Sequence, residues 1–226
     1  MAIVYVMILL GITESVFGGE SSQTSRMQQG DGGEGGDPYH ELPKRVALTF
    51  DDGPHPDYTG KLLDGLKERK VRATFFVMGK QAEEYPQLVK RMASEGHLIG
   101  NHTYSHLQLK KSNREEFKEE LKKTSNIVRN ITGEELQYVR PPYGTWDKSF
   151  ETELNMFPIL WDIDPLDWCK SDASCIARNV ISKVGKDNII LMHDQYDSSI
   201  EAALLIVDEL TKQGYEFVTV DELLEE

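Results

Sequence analysis

From residue 44 onward, short apolar runs of strand character alternate with stretches whose apolar residues recur at helical spacing, and few folds accommodate that alternation. Strands are expected at 46–50, 73–78, 97–101, 138–140, 157–163, 188–192 and 216–220. Helices are expected at 58–70, 86–95, 113–132, 175–184 and 199–213. Gly96, Gly133 and Gly214 end three of them, as a residue free to turn left-handed often does. The run Asn-Ile-Ile-Leu-Met at 188–192 is almost continuously apolar, the pattern of a strand buried on both faces. Strands separated by helices pair in parallel. Closing the sheet on itself buries such strands without exposed edges. The expected fold is therefore α/β, a distorted seven-stranded (β/α) barrel. Pattern alone leaves an open doubly wound sheet as the alternative.

The 226 residues suit one domain with a sizeable core. With 25 Lys and Arg against 38 Asp and Glu, the net charge is −13. That balance argues against nucleic acid or anionic lipid as the main partner, since both reward clustered cations. Residues 2–12 are apolar but too few to span a bilayer as an ordinary helix. They have the length of a signal-peptide core, with Val16 and Gly18 small enough for a nearby cleavage site, although no charged region precedes them. A buried strand or helix is the other reading. The expected division is a signal peptide at 1–18, a flexible Gly/Ser/Asp-rich tail at 19–43 and a folded domain at 44–226. The protein is then secreted, a monomer without a membrane anchor. In a secreted chain Cys169 and Cys175 read as one disulfide closing a short loop; in a cytosolic chain they are two thiols.

Conspicuous polar residues follow the expected strands: Asp51 and Asp52, His102 and His106, Arg140, Asp164 and Asp167, and His193. In a βα barrel those loops share one rim, so residues distant in sequence converge. His102 and His106 stand four apart, a spacing that aims both imidazoles one way on a helical turn and recurs in zinc hydrolases. Two imidazoles, one carboxylate and an open position for water make a catalytic rather than a structural metal site. Asp51 and Asp52 end a strand, where neighbours point to different sides. One can bind the ion while the other takes a proton from water. An Asp-Asp-Gly-Pro surface turn is the plain alternative.

Taken in order, Thr49 to Pro54, His102 to His106, Arg140 to Gly144, Asp164 to Trp168 and Ile189 to His193 resemble the five motifs of polysaccharide deacetylases, carbohydrate esterase family four. The resemblance covers nearly all of the folded part and implies the distorted seven-stranded barrel. It implies Asp51 as general base and Asp52, His102 and His106 as holders of one divalent ion, zinc first and cobalt second. It implies Arg140 as partner of Asp51, His193 as general acid and Asp167 as the residue that tunes His193. Tyr143 would lend its backbone N–H to the developing oxyanion, while Trp168 and Leu191 line the pocket for sugar and acetyl methyl. The implied activity is N-acetyl hydrolysis on an amino-sugar polymer such as chitin or peptidoglycan. A catalytically silent carbohydrate binder and an O-acetyl esterase are the competing readings. Of the other histidines, His55 lies close enough to the Asp-Asp turn to touch substrate. His97 is read as a surface or satisfied polar residue, and His40 lies in the tail.

Overall fold

β1 (Lys44–Asp51) is the hub of the structure, a computed structural model that describes residues 43–225. The expected signal peptide, and all of the expected tail but its last residue, lie outside the described residues. Successive β1 side chains alternate between the two faces of the sheet. Val46, Leu48 and Phe50 join the large cluster beneath the helices, whereas Ala47 joins a second cluster on the other face. Thr49 and Asp51 share the Ala47 face by the same alternation, which aims a carboxylate inward at the strand's C-terminal end.

On one side of β1 come β2 (Thr74–Val77), β3 (Leu98–Asn101), β4 (Tyr138–Val139) and β5 (Phe157–Pro158), in that order. On the other comes β6 (Asn188–His193). β7 (Tyr215–Phe217) pairs with the foot of β1 at Lys44–Val46. Every pairing is parallel, and the register sets Asp51 directly opposite His193.

The strand expected at 157–163 is two short pairings with a departure between them. Its start pairs with β4. Its end reaches β6 through a bridge between Ile163 and Ile190, with the Leu191 N–H donating to the Ile163 carbonyl at 2.9 Å. This segment closes the ring, and the result is a distorted seven-stranded (β/α) barrel.

The helices are α1 (Thr59–Glu68), α2 (Gly79–Glu84), α3 (Pro86–Ser94), α4 (Arg114–Thr132), α5 (Ser149–Leu154), α6 (Ala173–Ile181), α7 (Asp197–Lys212) and α8 (Val220–Leu224). Leu62, Leu63 and Leu66 of α1 are fully buried, each contributing about 1.5–3 kcal/mol. α4 buries Phe117, Leu121 and Val128 and stops at Gly133, whose φ of 83° few other residues tolerate. The strand expected at 216–220 ends at Phe217. Thr219 and Glu222 then cap each other's backbone and start α8, which carries Val220 and Leu223 into the second cluster. Among the described residues, no helix is long and apolar enough to cross a membrane.

Candidate active site

Three potential ligand atoms converge at the C-terminal ends of β1 and β3. The Asp52 Oδ1 lies 3.3 Å from the His102 Nε2 and 3.5 Å from the His106 Nε2. That oxygen is buried and has no hydrogen-bond donor. A tetrahedral ion with ligand bonds of about 2.0–2.1 Å has ligand–ligand edges of about 3.3–3.4 Å, so the observed separations fit one divalent ion held by Asp52, His102 and His106. The His102 Nδ1 lies 2.6 Å from the Arg140 carbonyl oxygen. Its N–H donates there, which leaves the Nε2 lone pair aimed at the ion site. Burial opposes the charge of Asp52, but the close approach of His102, with His106 and His193 behind it, holds its carboxyl below the ordinary range. Burial keeps the pKa of His106 down despite Asp52, favouring the neutral ring a ligand needs.

The two histidines meet for a reason other than helical spacing. Both lie in a loop after β3, not on a helix. Thr103 and His106 adopt positive φ, 63° and 62°, and the Leu107 N–H donates to the Thr103 Oγ1. This tight turn brings the rings to 5.0 Å between centroids. Asp52 also has positive φ, 72°, so it leaves the strand alternation that would have sent its side chain to the face opposite Asp51. Asn101 at the end of β3 is buried, its side-chain amide donating to the Leu121 carbonyl.

Asp51 faces a different partner. Arg140 is completely buried and its Nη1 donates to the Asp51 Oδ1 at 2.8 Å and to the Thr49 Oγ1 at 2.6 Å. Its remaining N–H groups reach the Ile159 and Leu160 carbonyls, and the guanidinium lies over the Phe76 ring. A cation fixed on all sides orients Asp51 and gives its carboxyl a charged partner. The His102 Nε2 is 3.8 Å from the other Asp51 oxygen, so base candidate and ion site are adjacent.

On the neighbouring strand β6, the His193 Nδ1 lies 2.8 Å from the Asp167 Oδ1. The second Asp167 oxygen accepts from the His193 backbone N–H and the Ser199 Oγ. Burial would lower the pKa of His193, but the hydrogen bond and charge of Asp167 outweigh it and push the pKa up to about 9. His193 is therefore a cation at neutral pH, with its Nε2 proton available.

Around these groups, Leu191 is buried on β6, while Trp168 and Tyr143 are exposed on the rim. The Tyr143 ring packs edge-on against His106. Asp164, grouped with Asp167 in the sequence, accepts from the Leu166 N–H and only shapes the turn. His55 stacks on Tyr58 at the same rim, and its Nδ1 accepts from the Asp57 N–H. His97 is a satisfied core residue: its Nδ1 accepts from the Ala73 N–H, and burial lowers its pKa to about 4. The disulfide is not formed. Cys169 and Cys175 are both exposed thiols, and the Cys169 Sγ donates to the Leu166 carbonyl while Cys175 begins the capped first turn of α6.

Sequence reasoning missed Asp194. It is fully buried, accepts a short hydrogen bond from the Thr59 hydroxyl, and its Oδ1 has no partner. Burial pushes its pKa up to about 7. It packs against Gly53, where a Cβ would lie 2.3 Å from both carboxylate oxygens. The glycine in Asp-Asp-Gly-Pro therefore has a packing reason, and it couples the ligand loop to the strand bearing His193.

Residues 40–159 match the family model described as polysaccharide deacetylase. A peptidoglycan-N-acetylglucosamine deacetylase of Bacillus cereus is 39% identical over 83% of this chain and 70% of its own length. The peptidoglycan-N-acetylmuramic acid deacetylase PdaC of Bacillus subtilis is 41% identical over 80% of this chain, which spans only 39% of that protein. The solved structure of PdaC superposes with a TM-score of 0.78 over 81% of this chain and 91% of the solved one. A chitooligosaccharide deacetylase of Rhizobium leguminosarum bv. trifolii is 35% identical over 76% of this chain and 88% of its own length. Matching motifs, matching fold and convergent geometry lead to one assignment: the chain belongs to the polysaccharide deacetylase family and is a hydrolase of that class.

Proposed function

We propose that the protein removes N-acetyl groups from an N-acetylglucosamine polymer, chitin or a related cell-wall polysaccharide, and releases acetate. The observation that carries this reading is the pairing of an Asp52–His102–His106 ion site with two differently held groups, Asp51 on the Arg140 guanidinium and His193 on the Asp167 carboxylate. A divalent ion there, zinc ahead of cobalt, supplies Lewis acidity toward the acetyl carbonyl. Asp51, held by Arg140, takes the proton of the attacking water as its oxygen bonds to the carbonyl carbon. The Tyr143 backbone N–H donates to the carbonyl oxygen as charge builds there. His193 gives its proton to the nitrogen as the C–N bond breaks, so the sugar leaves as an amine. Asp167 fixes the imidazole and keeps it charged until that moment. Leu191 and Trp168 line the space for the methyl group and sugar ring. The apolar run at 2–12 and the cell-wall substrates named for the relatives support action outside the cell.

Acetate release is the test. Chitooligomers, peptidoglycan fragments and O-acetylated xylan are offered to the protein with zinc, with cobalt and after chelation. Metal-dependent release from N-acetyl substrates is expected. Release only from the O-acetyl substrate would replace this reading by an esterase, and none from any substrate by a silent binder.

A further inference from the structure

A groove of about 470 Å³ opens beside the site, with Leu109, Lys110, Lys111, Trp146 and Lys148 among its lining. Its two walls are direct continuations of the site loops. Leu109 is three residues past His106, Thr145 is two past Tyr143, and the His106 and Tyr143 rings touch at 5.0 Å between centroids. Three extended residues span at most about 11 Å, so the groove begins within reach of a substituent on the reacting sugar or its neighbour.

Its charge is opposite to that of the molecule. In a chain of net charge −13, the lining carries three lysines and Arg114 against one acid, Asp147. Arg114 is already committed to Asp147 and Glu153. Among the described residues, Lys110 and Lys111 have no ion-pair partner within 4.0 Å. The walls are also held in place. The Lys110 N–H donates to the Asn113 Oδ1, whose amide nitrogen donates to the Gln108 carbonyl, and Trp146 packs edge-on against Phe117 and Phe150. A neutral N-acetylglucosamine strand offers only uncharged acceptors and supplies no counter-charge to the unpaired ammonium groups of Lys110 and Lys111. A strand that carries carboxylates does.

We propose that this groove is an accessory binding site for a carboxylate borne on the amino-sugar strand, which makes an acidic, peptidoglycan-type strand the preferred substrate over a neutral chitin-type one. The proposal rests on the deacetylase reading above and names its substrate class. The carboxylate has two possible sources, an ether-linked lactyl group on the neighbouring sugar or an acidic peptide attached to it.

Equilibrium binding tests it without depending on turnover. Four oligosaccharides of equal length serve as probes: neutral, lactyl-bearing, peptide-bearing, and peptide-bearing with its carboxylates converted to amides. Zinc-loaded protein is compared with the Lys110→Gln/Lys111→Gln double variant. Two exposed ion pairs give a preference of about three- to tenfold for a carboxylate probe over the amide. That preference should vanish in the double variant and at high salt, while affinity for the neutral probe stays unchanged. Comparing the lactyl and peptide probes assigns the source. Equal affinity for acid and amide forms, or a preference that survives in the double variant, overturns the proposal. Acetate release, measured in parallel, separates the two claims. Charge-dependent binding without release would remove the catalytic reading alone, and release without charge preference would remove the groove.

Discussion

Asp167→Asn isolates what one carboxylate does for the proposed acid. Burial alone would put the pKa of His193 below its ordinary 6.5, yet the hydrogen bond and charge of Asp167, with smaller pulls from Asp51 and Asp52, hold it at about 9. At 1.36 kcal/mol per unit, the surroundings favour the imidazolium by roughly 3 kcal/mol. Asparagine keeps the size and removes the charge, while burial remains. The pKa of His193 should then fall well below 9, since burial remains and only the weaker pulls of Asp51 and Asp52 oppose it. One amide orientation also turns an NH₂ toward the His193 backbone N–H and the Ser199 hydroxyl, both of which now donate to Asp167. Under the proposed roles, with Asp51 as base and His193 as acid, the wild-type profile should be bell-shaped. Its alkaline limb reports the loss of the His193 proton. A divalent ion nearby lowers that limb in both proteins alike, so the difference between them is the measured quantity. Asp167→Asn should move it down by about two units and lower the maximum by roughly two to four orders of magnitude. The assay is initial acetate release from one N-acetyl oligosaccharide at fixed zinc across pH, with bound metal measured at each point. An alkaline limb that stays put while zinc occupancy is unchanged would refute the reasoning, because His193 is then not the acid or Asp167 does not tune it.

His106→Ala should abolish metal binding and activity together, whereas Asp51→Asn should keep the ion and lose roughly two to four orders of magnitude in rate; elemental analysis beside kinetics checks both, and loss of the ion in Asp51→Asn would reverse the aspartate roles. Asp194 titrates at about 7 when folded against 3.8 ordinarily, so the native state binds the extra proton and stability falls as pH rises through that window, by roughly 4 kcal/mol in all. Asp194→Asn removes this titration, so in chelator-treated protein it should gain on wild type between about pH 4 and pH 7 in urea unfolding, and a pH-independent difference would count against the buried carboxyl. Cys169 and Cys175 should both alkylate in folded protein without reductant, and a linked peptide pair in a non-reduced digest would contradict the free thiols.

The legible parts of the fold were those whose signal is local. The apolar run at 188–192 marks β6 because a strand buried on both faces must be apolar at every position. The helical period at 58–70 marks α1 for the same kind of reason. α2 and α5 are only six residues long, too short to establish a period, and neither was foreseen. The break in the strand expected at 157–163 is a tertiary event, since its two ends pair with different neighbours. The site was legible because its residues follow strand ends, and barrel topology turns that into proximity. One wrong step was local: His102 and His106 do meet, but through a left-handed turn that a four-residue spacing does not distinguish from a helix. Asp194 was invisible because its role is its packing on Gly53, 141 positions away.

Backbone conformation connects these observations. Asp52, Thr103, His106, Tyr143 and Leu166 all have φ between 59° and 72°, although none is glycine. Each costs of order 1–3 kcal/mol and persists only where its surroundings impose it. All five lie in the loops that carry the ion site, the proposed oxyanion donor and the Asp167 turn, while the strands beneath are regular. The surroundings that impose them are visible. Thr103 is locked by the Asn101 side chain, the Asp52 carbonyl by the Gln195 amide, and the loop beyond Asp52 by Asp194 and Thr59. A strand alternation would have sent Asp51 and Asp52 to opposite faces, one into the barrel and one under the helices. The left-handed residue at 52 is what brings both carboxylates to the same cavity with separate partners, one on Arg140 and one on the histidines. The barrel thus supplies position, and the strained rim converts position into aim.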